Sequence, residues 1–73
     1  MSKYGLQEQF LNSLRKAGIP ATFYFVNGFQ MKGILKAFDN YTMIIECGST
    51  QQFLFKHAVS TIMPSKTIIL QEN

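Results

Sequence analysis

Apolar residues near the N-terminus recur at the spacing of one helical face, with polar residues between them. These apolar positions are Leu6, Phe10, Leu11 and Leu14. After them, Gly18 can adopt the left-handed conformation that ends a helix, and Pro20 prevents the helix from continuing. The pattern therefore predicts a helix from about Gln7 to Ala17.

From Pro20 onward, β-branched and aromatic residues form short runs separated by polar turns. The predicted strands are 21–26, 30–38, 41–46, 51–56 and 58–63. The turns between the first four are Asn27-Gly28, Asp39-Asn40 and Gly48-Ser49. A helix followed by five closely spaced strands predicts a strongly bent antiparallel sheet, that is, a small barrel, open or closed.

Some positions within this sheet carry specific expectations. Asn27-Gly28 is a strong hairpin signal, and both turn residues are expected at positive φ. Gly33 interrupts the second strand and predicts a sharp bend or bulge there. Pro64 is expected to end the fifth strand. The pattern does not determine the place of the apolar segment 67–70.

The chain has 73 residues, enough for a single domain over 1–73 with its strands over about 20–63 and a short tail over 64–73. Hydrophobic residues make up 47%, including seven Phe and three Tyr. This is more apolar surface than one small domain usually buries, which favours self-association. The formal net charge of +3 is mild for one chain, but a symmetric ring would concentrate it into a field that attracts anions.

The single cysteine, Cys47, cannot form an internal disulfide, which suits a reducing compartment. No apolar run approaches the roughly 20 residues that a membrane-spanning helix needs, and no N-terminal signal pattern is present. We therefore expect a cytoplasmic protein that does not bind membranes.

Catalysis has little support in the sequence. The carboxylates Glu8, Asp39, Glu46 and Glu72 are scattered through different elements. Cys47 and His57 form the only candidate dyad, and a small, partly buried residue at a strand end is the more ordinary interpretation of Cys47. Neither metal-ligand spacing nor a glycine-rich phosphate loop occurs. We expect no enzyme activity, no metal and no cofactor.

Nucleic-acid binding has more support. Lys56-His57 closes a strand and projects two donors from one rim of the barrel, although a solvated strand end is the ordinary interpretation. Tyr24 and Phe29 flank the first hairpin, where exposed rings can stack on bases, unless they belong to the barrel core. Side-chain amides of the kind that read base edges are also present, at Gln7, Asn40, Gln51 and Gln52.

Longer motifs make this interpretation more specific. Residues 27–33 (NGFQMKG) and 38–41 (FDNY) resemble the first Sm motif in its bacterial form. Residues 55–61 (FKHAVST) resemble the second, which contains the Lys-His pair typical of Hfq proteins. Residues 7–15 (QEQFLNSLR) resemble the Hfq N-terminal helix. The resemblance covers residues 6 to about 65, and the chain is identified on it as a member of the Hfq family of Sm-like proteins.

The resemblance implies a homohexameric ring in which the last strand of one subunit pairs with the fourth strand of the next. Members are RNA chaperones that promote pairing of small regulatory RNAs with messenger RNAs, in post-transcriptional regulation and the stress response. The proximal face, which carries the helix, binds uridine-rich strands, and the distal face binds adenine-rich strands. A basic rim, here Arg15 and Lys16, assists annealing.

Site residues follow from the resemblance by position. Those of the proximal face are Gln7, Asn40, Tyr41, Lys56 and His57. Of these, Tyr41 would stack on a base, Lys56 and Gln7 would hydrogen-bond the uracil edge, and His57 would contact phosphate or ribose. Those of the distal face are Tyr24, Gly28, Phe29, Gln30, Met31, Lys32, Gln52 and Thr61.

The sequence departs from the common family pattern at several positions. Asn40 replaces a frequent Gln, and Phe55 replaces a frequent Tyr. Phe29 and Met31 make the distal surface more apolar. Compared with the family pattern, one extra residue lies between Glu46 and Gln52. The distal amide is therefore assigned to Gln52, and not to Gln51, by counting back from Lys56. The rim is short as well, because Ala17-Gly18 follow where some relatives have further charge.

Three other classes of protein are compatible with parts of the sequence. A monomeric single-strand binder of the OB or cold-shock type also has five strands, but the N-terminal helix argues against it. A small hydrolase would depend on Cys47 or His57. An Sm-like ring that serves a different RNA class is the least distant alternative.

Overall fold

A computed structural model describes residues 5–70. Glu72 and the last residues of the predicted tail lie outside that range. Within it the elements are α1 (Leu6–Ala17), β1 (Pro20–Phe25), β2 (Gln30–Phe38), β3 (Thr42–Cys47), β4 (Thr50–Phe55), a 3-10 helix (Lys56–Ala58) and β5 (Val59–Pro64). The predicted helix and five strands are all present, each within one residue of its expected bounds.

Helix α1 packs on the sheet through most of the predicted apolar face, but Leu6, at its first position, is 70% exposed. Leu11 and Leu14 are buried. Gly18 has φ 65°, and its N–H donates to the carbonyl oxygen of Leu14 at 3.1 Å. This is the expected left-handed glycine cap, which satisfies a carbonyl at the end of the helix.

The strands form one antiparallel sheet in the order β4-β3-β2-β1-β5, so β4 and β5 lie at its two edges. One face of this sheet and helix α1 enclose the core. Its buried residues are Leu11, Leu14, Ala21, Phe23, Leu35, Met43 and Ile45. The predicted class, a helix followed by a bent five-stranded antiparallel sheet, is confirmed.

The β1–β2 turn differs from the predicted two-residue hairpin. The N–H of Gly28 donates to the carbonyl of Phe25 at 3.0 Å, and the N–H of Phe25 donates to that of Phe29 at 2.8 Å. Gly28 has φ 96°, whereas no non-glycine residue among those described has positive φ. The expected positive φ of Asn27 is therefore wrong. Its side-chain oxygen instead accepts a hydrogen bond from the N–H of Phe29 at 3.1 Å.

Gly33 is not the site of a bulge. It pairs in register with Ala21, and the irregularity in β2 lies between Leu35 and Ala37, opposite β3. A Cβ at Gly33 would lie 2.5 Å from Cγ2 of Ile45 and 2.7 Å from the carbonyl oxygen of Glu46. Glycine is needed here because β3 approaches the backbone closely.

The fifth strand ends at Pro64, as the sequence predicted. Pro64 is itself the last residue of β5, one residue beyond the predicted bound, and lies opposite Ala21. A proline is tolerated there because β5 is an edge strand. Beyond it, Ile68 packs against the core, which places part of the tail that the sequence left unassigned.

Candidate nucleic-acid interface

The strand register brings three predicted distal residues into one row. Tyr24 on β1 lies opposite Gln30 on β2 and opposite Thr61 on β5. Directly opposite residues of antiparallel strands project to the same face, so these side chains are neighbours. Gln30 and Thr61 are exposed and Tyr24 is half-buried. The hydroxyl of Ser60 donates to the carbonyl oxygen of Tyr24 at 3.1 Å and adds a contact between β1 and β5.

A second row lies two residues farther along the same face. Thr22 pairs with Lys32 on β2 and with Met63 on β5. Predicted residue Lys32 is therefore on the same face as Tyr24. Met63 is exposed there too, and the sequence analysis did not single it out. Only the register between β5 and β1 shows that Met63 lies beside Thr22, and no local sequence pattern gives that register.

The other predicted distal residues do not all share this face. Met31 lies opposite the buried Phe23, which places it on the core side of the sheet. Gln52 lies opposite the buried Ile45, and the neighbouring Gln51 lies opposite Glu46, so the two amides project to opposite faces. Gly28 and Phe29 lie in the β1–β2 turn, where 71% of the Phe29 surface is exposed.

The β2–β3 turn carries two predicted proximal residues, Asn40 and Tyr41, and Asp39 organises it. The carboxylate of Asp39 accepts hydrogen bonds from the hydroxyl of Thr42 at 2.7 Å, the N–H of Thr42 at 2.8 Å and the N–H of Tyr41 at 2.9 Å. These bonds lower the pKa of Asp39, the Thr42 hydroxyl having the largest effect. Tyr41 is thereby presented with 76% of its surface exposed, as base stacking requires.

The Lys-His pair lies in the 3-10 helix that follows β4. The N–H of Lys56 donates to the carbonyl oxygen of Tyr41 at 2.8 Å, so the pair is joined to the β2–β3 turn. The Lys56 ammonium lies 5.3 Å from the centre of the Phe38 ring. The His57 ring stacks on Phe55, with centroids 5.7 Å apart and an interplanar angle of 23°.

A groove of about 680 Å³ runs between α1, the 3-10 helix and β5. Gln7 and Lys56 both line it, so the two residues expected to bind a uracil edge share one site. Its remaining lining is mostly apolar: Leu6, Phe10, Leu11, Met43, Val59, Ser60, Thr61, Ile62 and Leu70. Asn40, Tyr41 and His57 are not part of the lining and lie outside this groove.

The two predicted rim residues, Arg15 and Lys16, are exposed in the last turn of α1. The Arg15 guanidinium donates to the side-chain oxygen of Asn12 at 2.6 Å. Both cations also complement the negative end of the helix dipole. They remain at the surface, available to phosphates.

Two aromatic side chains on β4 were not among the predicted site residues, and of the two only Phe55 was noted, as replacing a frequent Tyr. Phe53 and Phe55 are 61% and 51% exposed, and their rings meet edge to face with centroids 5.5 Å apart. Both lie on an edge strand, whose unpaired backbone groups can bind another strand. Strand alternation predicts that the two side chains share a face, but it does not show that β4 is an edge strand.

Cys47 is the last residue of β3 and is partly buried, as expected. Between residues 5 and 70, no cluster of three or more His, Cys, Asp or Glu side chains can hold a metal ion. In the same range, no helix is long and apolar enough to cross a membrane.

A short N-terminal helix on a bent five-stranded sheet, with β4 and β5 as free edges, defines a domain of the Sm-like class. The sequence model described as "Hfq protein" matches residues 6–69. The chain therefore belongs to the Hfq family. This is a family of RNA-binding chaperones and not of enzymes.

Individual relatives agree with this assignment. The RNA-binding protein Hfq of Thermosipho africanus is 56% identical over 68 residues, which cover 93% of this chain and 81% of that protein. The RNA-binding protein Hfq of an Exiguobacterium species is 45% identical over 71 residues, covering 97% and 87%. A 1.55 Å crystal structure of the pleiotropic translational regulator Hfq superposes with a TM-score of 0.78 at 32% identity, covering 81% of this chain and 98% of that one.

Proposed function

We propose that this chain is an RNA chaperone that forms a homohexameric ring and binds uridine-rich and adenine-rich single strands at two separate sites. The observation that carries the proposal is the separation of two sets of residues. Tyr24 and Gln30 lie opposite each other on β1 and β2, away from the groove that Gln7 and Lys56 line beside α1. Thr61 lies opposite Tyr24 and also lines the groove, so it does not distinguish the two sites.

The groove suits a uracil base. Gln7 offers both a donor and an acceptor, and the Lys56 ammonium offers donors to a carbonyl oxygen. Tyr41 is exposed beside Lys56 and provides a surface on which a base can stack. His57, next in the chain, supplies a donor for phosphate or ribose. Asn40 adds an exposed amide to the same turn.

The row on β1, β2 and β5 suits adenine-rich strands. Tyr24 provides a ring for stacking, and Gln30 and Thr61 provide groups that hydrogen-bond to a base edge. Lys32 lies farther along that face and can neutralise a phosphate. The exposed Phe29 and the backbone of Gly28 border the row at the adjoining turn. Met31 lies on the core side and contributes by packing. Gln52 projects to that side as well, opposite Ile45, so the amide of β4 on the face of Tyr24 is that of Gln51, opposite Glu46.

Ring formation explains two features of a single subunit. Its two edge strands, β4 and β5, carry unpaired backbone groups that pairing between neighbours would satisfy. The Phe53–Phe55 pair exposes large apolar surfaces on one of those edges, which such an interface would cover. Six basic subunits also concentrate charge that attracts RNA.

The biological role follows from binding two RNAs at once. A ring that holds a regulatory RNA at one site and a messenger RNA at the other raises their effective concentration and promotes pairing. The solved relative is a pleiotropic translational regulator, which supports this role. Regulation of messenger RNA also agrees with the expected cytoplasmic localisation.

The test measures binding of short uridine-rich and adenine-rich oligonucleotides to two variants. Lys56→Ala should weaken only uridine-rich binding. Tyr24→Asp should weaken only adenine-rich binding, by about 1–3 kcal/mol per stacked base. Lys66→Ala and Thr67→Asp change exposed tail residues and serve as matched controls for lost and added charge. If both variants weaken both ligands equally, the two-site proposal is wrong.

A further inference from the structure

The ammonium of Lys56 has an aromatic neighbour to which the proposed function assigns no role. Phe38 is the last residue of β2, and its half-buried ring packs against the core. The ring centre lies 5.3 Å from the Lys56 nitrogen. A cation within about 6 Å of an aromatic face is attracted by the ring quadrupole, which makes that face partially negative. The ring is therefore a fixed electrostatic partner for a long and otherwise mobile side chain.

The rest of the β2–β3 turn holds Lys56 as well. The N–H of Lys56 donates to the carbonyl oxygen of Tyr41, which fixes the backbone from which the side chain starts. Asp39, next to Phe38, carries a negative charge that interacts with Lys56. The short segment 38–41 thus constrains both ends of Lys56, at its backbone and at its ammonium.

We infer that Phe38 is a positioning residue of the uridine-binding site, holding the ammonium of Lys56 at the groove before RNA arrives. This inference rests on the proposed function. A free lysine loses much rotamer entropy when it binds a ligand, and a lysine already held by a ring loses less. The contact thus strengthens binding although Phe38 itself touches no RNA.

A fixed ammonium also discriminates between pyrimidines. It donates hydrogen bonds and cannot accept them. Uracil presents two carbonyl oxygens, whereas cytosine has an amino donor in place of one of them. An ammonium that is held beside this position favours uracil, because it donates to the carbonyl oxygen and repels the amino donor of cytosine. A mobile ammonium can turn away from the amino group and so discriminates less. The aromatic ring of Phe38 is therefore expected to increase the preference for uridine over cytidine as well as the affinity for uridine.

The contact is tested first without RNA, in the full chain. A ring face shifts nearby proton resonances upfield, so the ε-methylene protons of Lys56 should resonate upfield of those of the exposed Lys66. Phe38→Leu keeps an apolar side chain for the core but removes the ring, and should abolish the difference. Phe38→Tyr should keep it. If the Lys56 and Lys66 resonances coincide in the unaltered protein, the inference is overturned, whatever the variants do.

Binding of short uridine-rich, cytidine-rich and adenine-rich oligonucleotides then tests the consequence. Phe38→Leu should weaken uridine-rich binding about two- to fivefold, the size of an exposed cation–aromatic contact. Adenine-rich binding should not change, and the ratio of uridine to cytidine affinity should fall. Phe38→Tyr should restore uridine-rich binding. In a Lys56→Ala background, Phe38→Leu should have no further effect, because the group that it positions is gone.

The outcomes separate this inference from the proposed function. If Lys56→Ala weakens uridine-rich binding but Phe38→Leu does not, Phe38 has no positioning role and the proposed function stands. If Phe38→Leu is equally damaging with and without Lys56, the ring acts by supporting the fold and the inference is overturned. If Lys56→Ala leaves uridine-rich binding unchanged, the proposed function fails and the inference fails with it.

Discussion

The backbone N–H of Lys56 donates to the carbonyl oxygen of Tyr41 at 2.8 Å. The preceding pair of the β3–β4 ladder is Thr42 with Phe55, so this hydrogen bond continues the contact between the two strands by one step. Two residues from different motifs are thereby fixed relative to one another by the sheet itself. Changes in the β2–β3 turn should consequently affect the Lys-His pair, and the turn depends on Asp39.

Asp39→Asn is expected to reduce stability near neutral pH, because an amide oxygen accepts the three turn hydrogen bonds less strongly than a carboxylate. The Thr42 hydroxyl first, and then the Tyr41 and Thr42 N–H groups, lower the pKa of Asp39 below its ordinary value of 3.8. The carboxylate therefore contributes stability above pH 3.8, and this contribution is lost as the pH falls from there through the folded-state pKa.

Urea unfolding of both proteins across this pH range provides the measurement. The gap in free energy of unfolding between wild type and Asp39→Asn should narrow in acid. Glu8→Gln removes one exposed carboxylate from α1 and controls for the change in net charge. A gap that stays constant across the whole range would contradict this role of Asp39.

Gly33→Ala is expected to destabilise the fold by about 1–3 kcal/mol, the usual cost of overpacking. Its methyl group would meet Cγ2 of Ile45 at 2.5 Å and the carbonyl oxygen of Glu46 at 2.7 Å, and the second of these is backbone. Lys32→Ala, at the adjacent exposed position, should change stability by less than about 0.5 kcal/mol. Urea unfolding at one fixed protein concentration compares the two, since association also contributes to stability. Equal unfolding midpoints would show that β3 moves aside at little cost.

Sequence patterns were sufficient for the elements and for most of the sheet. The helical spacing of Leu11 and Leu14 and the cap at Gly18 depend on local chemistry, and the structure agrees with both. In β1 the alternation of an extended strand separates Phe23, which is buried, from Tyr24, which shares a face with Gln30, and this decides between the two interpretations of Tyr24 that the sequence left open. These features are predictable because each is decided within a few neighbouring residues.

Features that depend on contacts between strands were not predictable in the same way. The irregularity of β2 falls after Leu35, not at Gly33, because it is set by pairing with β3. The resemblance supplied Met31 as a distal residue, but only the register with Phe23 shows that it lies on the core side. The contact between Phe38 and Lys56 likewise joins positions that no local pattern connects.

The unaltered protein is expected to be a hexamer at micromolar concentration, and Phe53→Asp should shift it toward smaller species. Phe53 is 61% exposed in a single subunit, so the change leaves the core intact while placing a charge at the proposed interface. Loss of a central interface aromatic typically costs about 2 kcal/mol or more. Native mass spectrometry measures the change, and circular dichroism verifies the fold.

Ile69→Asp gives a matched control for this experiment, because Ile69 is also a large exposed apolar residue but lies in the tail. It should leave the hexamer unchanged. A wild-type protein that is mainly monomeric would refute the ring itself. If the hexamer persists in Phe53→Asp, the interface between subunits does not include this part of β4.

We expect the two cations of the proposed rim, Arg15 and Lys16, to limit how fast two RNAs can be paired. An annealing surface works by neutralising phosphates, and α1 offers only Arg15 and Lys16 at its exposed C-terminal end. Arg15 also donates to the side-chain oxygen of Asn12 at 2.6 Å, which leaves fewer of its donors for a phosphate. We therefore expect tight RNA binding but only modest acceleration of annealing.

Ala17→Arg tests this expectation by adding a cation at an exposed position of the same turn. It leaves Gly18 in place, which matters because Gly18 has φ 65° and a side chain there would be strained. Annealing of complementary strands should become faster. Binding of single strands should also depend more on salt, with the slope of log affinity against log salt concentration steeper by about 0.7 for each additional phosphate contacted. Ala17→Gln provides a neutral control of comparable length, and Arg15→Ala should slow annealing. If the unaltered protein already anneals strongly and Arg15→Ala makes no difference, these two cations do not form the annealing surface.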